Sequence, residues 1–135
     1  DGADSVQESI DNVFGLYCEA TRSCFESPAT FDVAILGLGS DGHTASFFPD
    51  AENLAELIDP DVNRALLTCE SVNSQVARVT WNLPMLLSAN FLVLHITGMT
   101  KRTVFDQAVS NNDALTLPIR AAIFQSKTPL QVYYA

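Results

Sequence analysis

Residues 31–49 constrain the fold of this chain more than any other stretch, because a strand pattern runs there directly into a glycine-rich turn. The stretch reads FDVAILGLGSDGHTASFFP. Its short apolar run, residues 33–36, lies between turn-forming residues, which is typical of a parallel strand covered on both faces. Glycines and good helix caps follow, so the pattern predicts a helix that starts near His43 or Thr44.

The turn has the residues expected of an anion site beside a general base. Gly39 and Gly42 allow the backbone to approach a ligand closely, and Ser40 and Asp41 cap helices well. The unpaired amides at the start of a helix favour a bound anion. Histidine ordinarily titrates near neutral pH, which makes His43 the candidate general base.

Three other interpretations use the same letters. The glycines of the turn satisfy G-x-G-x-x-G, with Asp59 or Asp61 placed for a ribose hydroxyl, but that fingerprint usually opens its domain and a long helical pattern comes first here. A nucleophile elbow centred on Ser40 is excluded because G-x-S-x-G needs glycine where residue 38 is leucine. The third is a plain helix cap in which His43 only hydrogen-bonds the turn.

Residues 37–46, followed by Phe48 and Pro49, closely resemble the signature of the 6-phosphogluconolactonases. The related glucosamine-6-phosphate deaminases share the Asp-Gly-His core and are expected to continue without the Thr-Ala-Ser run. The resemblance implies hydrolysis of 6-phospho-D-glucono-1,5-lactone to 6-phospho-D-gluconate. His43 would act as the general base, and Asp41 would hold the turn or orient the imidazole. Neither a cofactor nor a metal is expected.

Two basic residues extend the resemblance to the substrate phosphate. Arg78 lies in an Arg-x-Thr strand before a proline-started helix, and in the family that arginine helps to hold the phosphate. A guanidinium pairs with phosphate oxygens two at a time. Lys101 follows the glycine at the end of a strand, where the family has a lysine that reaches the phosphate.

The resemblance therefore implies a full set of substrate-binding residues, with backbone amides of the turn stabilising an oxyanion. That set is Gly39, Ser40, Gly42, Thr44, Arg78 and Lys101. His95, within an apolar strand, is assigned no role, and Arg120 is assigned to neither the site nor the surface.

Charge restricts the partners. Seven basic against sixteen acidic residues give a net charge of −9, which argues against nucleic acid and against an anionic membrane surface. A phosphosugar is an anion, so its site needs local positive charge within an acidic chain. The few basic residues are informative for that reason.

Composition indicates a globular, soluble protein, with 47% hydrophobic and 17% charged residues. No apolar stretch approaches the roughly 18 residues that a membrane-spanning helix needs, and no signal-peptide pattern opens the chain. Cys18, Cys24 and Cys69 show no C-x-x-C pairing, so neither a disulfide framework nor a zinc site is expected. The cytoplasm is the expected compartment.

Alternating strands and helices predict an α/β fold, an open, mostly parallel, Rossmann-like sheet with flanking helices. The expected strands are 33–36, 64–70, 76–81, 91–98 and 130–134, and the expected helices are a long one before residue 27, a short turn at 53–58, 83–89, 100–109 and 117–124. His43, Arg78 and Lys101 lie near strand-to-helix junctions or in an adjoining strand, so one crevice is expected to collect them.

Residues 1–135 are predicted to form a single α/β domain. The lactonases that the chain resembles are substantially longer, and their amino-terminal half has a Ser-Gly-Gly type loop that is absent from this sequence. The chain therefore resembles the carboxy-terminal part of a longer lactonase domain with the amino-terminal part absent. An exposed sheet edge would favour pairing with another chain, so a homo-oligomer is one expected arrangement.

Two alternatives stay open on the sequence. One is a sugar-phosphate isomerase like the glucosamine-6-phosphate deaminases. The other is a non-catalytic phosphosugar-binding module.

Overall fold

The computed structural model describes residues 30–69, 71–72, 78–110 and 112–135. The chain divides into two units, Asp1–Thr30 and Phe31–Ala135. The second unit contains every element described below. The predicted long helix before residue 27 lies outside the described residues, as do Cys18 and Cys24, so a single domain over residues 1–135 stays a prediction.

Within the described residues, nine elements follow one another in the order that the sequence predicts, apart from the helix expected near residue 43. They are β1 (Val33–Gly37), α1 (Leu54–Leu57), β2 (Leu66–Cys69), β3 (Arg78–Trp81), α2 (Leu83–Leu86), β4 (Phe91–Ile96), α3 (Met99–Ser110), α4 (Ile119–Ile123) and β5 (Leu130–Tyr134). Each strand and helix predicted beyond residue 49 is confirmed in kind, and the differences are at the ends of elements.

Three strands form a parallel sheet in the order β1-β4-β5. In the β1–β4 pair Val33 lies opposite Phe91 and Gly37 opposite His95, so both strands end at the same edge of the sheet. β2 and β3 form a separate antiparallel pair. The predicted open, mostly parallel α/β sheet is therefore confirmed, and the loops after β1 and β4 leave its carboxyl edge side by side.

Burial alternates along the sheet, and one face carries the core. The inner-face residues of β1 and β4 are all buried: Ala34, Leu36, Leu92, Leu94 and Ile96. On the opposite face Ile35 is 71% exposed and Phe91 56% exposed. The expectation that β1 is covered on both faces is wrong for the described residues. A continuous apolar run indicates that its residues favour burial, but it does not indicate whether another segment covers each face of the strand.

A buried asparagine joins the β2–β3 pair to α2. Asn82 is fully buried and is the N-cap of α2, with its Oδ1 accepting from the amides of Ala65 at 3.0 Å and Met85 at 3.3 Å. Its Nδ2 donates to the carbonyl of Asn63 at 2.7 Å. One side chain thus satisfies three backbone groups from two segments of the chain.

We expect Asn82→Ala to lower the free energy of unfolding by about 2 kcal/mol, because buried backbone groups lose their hydrogen-bond partners. Urea denaturation measures the change. Asn90→Ala is the matched control, since Asn90 is exposed and its side chain makes one long hydrogen bond to Asp32, 3.4 Å. That control should change stability by less than about 0.5 kcal/mol. Equal losses in the two variants would contradict the assignment.

Candidate active site

The segment between β1 and α1, residues 38–53, is a loop. Gly42 has a φ of +86° and Ala45 a φ of +51°, left-handed values that a right-handed helix does not contain. The prediction of a helix starting near His43 or Thr44 is therefore wrong, and the helix-terminus argument for an anion site fails with it. Residues that cap helices also occur in turns, so they do not show that a helix follows. The positive φ of Ala45 cannot be read from the residue type.

In the glycine-rich turn, two backbone amides donate hydrogen bonds to backbone carbonyls of the same turn. The N–H of Gly39 donates to the carbonyl of His43 at 2.8 Å, and the N–H of Gly42 donates to the carbonyl of Gly39 at 3.1 Å. Within the described part of the chain, the amides of Ser40 and Asp41 donate to no group. Among the amides of residues 39–42, those of Ser40 and Asp41 are therefore the two left to stabilise an oxyanion.

Buried hydroxyls tie the loop to the strands beside it. The hydroxyl of Thr44 donates to the carbonyl of Gly37 at 2.8 Å, at the end of β1. The amide of Ser46 donates to the hydroxyl of Thr80 in β3 at 3.3 Å. Thr44 thus has a structural contact, and direct contact of its hydroxyl with a ligand stays a prediction.

Asp41 and His43 form a hydrogen-bonded pair. Oδ1 of Asp41 lies 2.6 Å from Nδ1 of His43 and also accepts the backbone N–H of His43 at 3.2 Å. Because a carboxylate only accepts hydrogen bonds, the proton of this hydrogen bond is on Nδ1, and in the neutral imidazole the lone pair is then on Nε2. The side chains are 32% exposed for His43 and 48% for Asp41, so water reaches the pair. A carboxylate that orients an imidazole in this way is suited to general-base catalysis.

The imidazole occupies the space that a side chain on residue 39 would need. A Cβ built on Gly39 would lie 2.1 Å from Nδ1 of His43, 2.3 Å from its Cε1 and 2.6 Å from Oδ1 of Asp41. Non-bonded contacts of real Cβ atoms are essentially never that short. Glycine at this position therefore permits the approach of the Asp41–His43 pair, a role that the motif alone does not distinguish from close approach of a ligand.

The carboxy-terminal helix α4 supports the loop from a distant part of the sequence. The amide of Ile119 donates to the carbonyl of Gly42 at 3.0 Å. A Cβ built on Gly42 would lie 2.6 Å from Cδ2 of Leu117. The Leu-Pro stretch predicts the helix correctly, but no local pattern indicates that it packs against the loop.

Asp113 organises the segment that leads into α4. Its Oδ1 accepts the amide of Leu115 at 2.8 Å, its Oδ2 accepts the hydroxyl of Thr116, and its carbonyl accepts the amide of Leu117 at 3.3 Å. Donation from the Thr116 hydroxyl, and then from the Leu115 amide, lowers the pKa of Asp113 below its ordinary value.

Arg78, in β3, reaches the loop through an aromatic ring. Its guanidinium carbon lies 5.3 Å from the centroid of the Phe48 ring. The imidazole of His43 lies against the same ring, with the centroids 4.5 Å apart and the planes inclined by 36°. The structure thus brings His43 and Arg78 to one side chain, and the sequence assigned that side chain no role.

Lys101 lies in the first turn of α3, just after β4. Its side chain is half-buried, and its ammonium makes no hydrogen bond or ion pair with residues 30–69, 71–72, 78–110 or 112–135. No contact joins it to the Asp41–His43 pair, so its phosphate-binding role stays a prediction, as does that of Ser40.

The residues left without a role have defined surroundings. His95 is exposed in β4, and Arg120 donates to the carbonyl of Ala108 with its guanidinium carbon 4.3 Å from the centroid of the Phe124 ring. Cys69 is buried. The described residues contain no group of three His, Cys, Asp or Glu side chains placed to hold a metal ion. In the same part of the chain, every helix is too short or too polar to cross a membrane.

Comparison with known proteins places these features in a family context. The family model described as glucosamine-6-phosphate isomerases/6-phosphogluconolactonase matches residues 1–131. The 6-phosphogluconolactonase of Rhizobium meliloti is 43% identical over 107 residues, which are 79% of this chain and 46% of the relative. The 6-phosphogluconolactonase of Mesorhizobium japonicum is 44% identical over 108 residues, 80% of this chain and 44% of the relative.

A solved structure agrees with the sequence relatives. The crystal structure of a 6-phosphogluconolactonase from Shewanella baltica is 32% identical and superposes with a TM-score of 0.76, covering 86% of this chain and 49% of that chain. The present chain therefore spans about half the length of the relatives that it matches.

We expect Gly39→Ala to displace the imidazole of His43 and to lower the free energy of unfolding by about 1–3 kcal/mol through overpacking. In proton NMR spectra the low-field Nδ1–H signal of the Asp41–His43 hydrogen bond should be lost. Gly37→Ala is the control, because a Cβ there meets nothing within 4 Å. Retention of the signal in Gly39→Ala would show that the loop accommodates a methyl group.

The lowered pKa of Asp113 predicts a pH dependence of stability. A depressed carboxyl pKa stabilises the folded state above the unfolded value, about pH 4, and this contribution is lost as the pH falls through the folded pKa. The stability difference between the unsubstituted chain and Asp113→Asn should therefore shrink between pH 6 and pH 3. Urea denaturation at several pH values measures it, and a constant difference would contradict the assignment.

Proposed function

This chain belongs to the family of glucosamine-6-phosphate isomerases and 6-phosphogluconolactonases, and from that membership we propose that it hydrolyses 6-phospho-D-glucono-1,5-lactone to 6-phospho-D-gluconate. The observation that carries the proposal is the water-accessible Asp41–His43 pair, 2.6 Å apart in the loop after β1. Two relatives, 43% and 44% identical to this chain, are named 6-phosphogluconolactonases, which supports the choice of substrate. The proposal concerns the site that these 135 residues contain.

His43 is the proposed general base. Its Nε2 takes a proton from a water molecule while the water oxygen attacks the ring carbonyl of the lactone. The carboxylate of Asp41, held at Nδ1, stabilises the imidazolium that forms. When the tetrahedral intermediate collapses, the ring oxygen leaves and takes the proton back from Nε2 as a hydroxyl group. The step consumes water and otherwise needs only these side chains.

The remaining site residues are assigned by the charge that each can stabilise. The free amides of Ser40 and Asp41 are the donors proposed for the oxyanion of the intermediate. Arg78 and Lys101 are proposed to hold the phosphate away from the reacting carbon, which fixes the position of the lactone. Gly39, Gly42 and Thr44 shape the loop that carries these groups.

A phosphorylated lactone is charged and does not cross a bilayer unaided, so we propose the cytoplasm as the compartment of the reaction. The outer edge of β1 pairs with no other strand among the described residues. Association of two copies through that edge is our proposal for a homo-oligomer.

We expect His43→Ala to lower the rate of lactone hydrolysis by at least about 100-fold, the lower range of general-base catalysis. The assay follows 6-phosphogluconate release from freshly generated lactone, above the spontaneous rate. His95→Ala is the matched control, because His95 is the only other histidine of the chain and is exposed in β4. A loss of less than about threefold in His43→Ala would exclude His43 as the base.

The same preparation separates the alternatives. Release of ammonia from glucosamine 6-phosphate would indicate a deaminase. A phosphosugar-binding module would bind 6-phosphogluconate through Arg78 and Lys101, show no turnover and be indifferent to His43→Ala.

A further inference from the structure

We propose that Phe48 is a positioning residue that holds the general base and the phosphate anchor in register, an inference that rests on the proposed function. Its ring contacts the imidazole of His43 with the centroids 4.5 Å apart. It also lies 5.3 Å from the guanidinium carbon of Arg78. A single aromatic side chain therefore joins two groups on different elements of the fold.

Both contacts have favourable geometry. Aromatic rings attract one another at centroid separations of about 4.5–7 Å, and the rings of Phe48 and His43 lie at the short end of that range with their planes tilted by 36°. A guanidinium within about 6 Å of a ring centroid is attracted by the negative face of the ring. Phe48 is half-buried and packs against the hydrophobic core, so the ring itself is held in place.

The strand beside the loop reinforces this arrangement. Arg78 and Thr80 are two residues apart in β3 and therefore point to the same face of the strand. Thr80 accepts the amide of Ser46 at 3.3 Å, while Arg78 lies over the ring of Phe48. Two residues of the loop thus contact two residues of the strand. Because His43 belongs to that loop, these contacts link the position of its imidazole to that of the Arg78 guanidinium.

The proposed substrate requires a fixed distance between the phosphate anchor and the general base. The phosphate and the carbonyl of one substrate molecule are separated by a fixed number of bonds, so the anchor and the base must keep a fixed separation. An arginine side chain has many rotamers, and restricting them before the ligand arrives lowers the entropic cost of binding. Leucine at position 48 would keep the apolar contact with the core but remove the π face.

The test measures binding of 6-phosphogluconate to the 135-residue chain by isothermal titration calorimetry. Phe48→Leu should raise the dissociation constant about two- to fivefold, and Phe48→Tyr, which keeps the π face, should stay within about twofold of the original value. Phe124→Leu is the matched control, since its ring carries the guanidinium of Arg120 at 4.3 Å on α4. That control should leave the affinity unchanged.

Coupling to the anchor is measured in an Arg78→Leu background. There Phe48→Leu should cause no further loss, because the guanidinium that the ring holds is gone. If Arg78→Leu weakens binding and Phe48→Leu does not, the positioning role is overturned and the proposed function stands. If Arg78→Leu has no effect, the anchor assignment and the positioning role both fail.

NMR spectra of the unsubstituted chain provide a readout that does not depend on any variant folding or on ligand binding. In that chain, nuclear Overhauser contacts are expected between the ring protons of Phe48 and those of His43. A second comparison, which does require folded variants, is expected to show the His43 ring signals shifted in Phe48→Leu but not in Phe124→Leu. Absence of those contacts overturns the proposal. If the contacts are present but the unsubstituted chain neither binds 6-phosphogluconate nor hydrolyses the lactone, the proposed function fails and the positioning role for that substrate fails with it.

Discussion

The site depends on the space left free above the α-carbon of Gly39. There the imidazole of His43 comes so close to the backbone that no side chain fits between them, and the carboxylate of Asp41 fills the rest of the gap. Two backbone hydrogen bonds, from Gly39 to His43 and from Gly42 to Gly39, close the turn around this contact. The backbone conformation of the turn therefore helps to hold the Asp41–His43 pair, in addition to the hydrogen bond between the two side chains.

Charge explains why so few residues carry the chemistry. The chain has a net charge of −9, and the proposed anionic substrate would approach it against that field. Arg78 lies over the Phe48 ring, and the ammonium of Lys101 forms no ion pair within the described residues. Because most of the remaining charge would repel such an anion, we propose that its binding is concentrated at the carboxyl edge of the sheet.

The sequence was informative where structure is local. Periodicity located β4, in which buried residues alternate with more exposed ones, and α3, whose buried Val104 and Ala108 are four residues apart. The motif identified His43 and Asp41 because spacing within a turn is also local. The helix predicted at residue 43 was wrong because the positive φ of Ala45 has no signature in the residue type. Contacts between distant segments, such as Leu117 with Gly42, had no signal at all.

A sequence reveals which residues belong to a motif more readily than it reveals which side chains they contact. Phe48 could be noted as part of a motif, but its neighbours Arg78 and His43 come together only once β3 is placed beside the loop. Likewise, the apolar character of Ile35 was plain, whereas its exposure of 71% depends on what else packs on that face. A single sequence reports a preference for burial, and the fold decides where that preference is met.

The hydrogen bond from Ile119 to Gly42 also bears on the order in which the protein forms. A ribosome releases the loop long before it releases α4, because the two are separated by most of the described chain. Contacts this distant in sequence are slow to form, since the loop between them must close first. The strand and the turn can therefore assemble early in synthesis, whereas the turn receives its final support only after the carboxy-terminal segment has emerged.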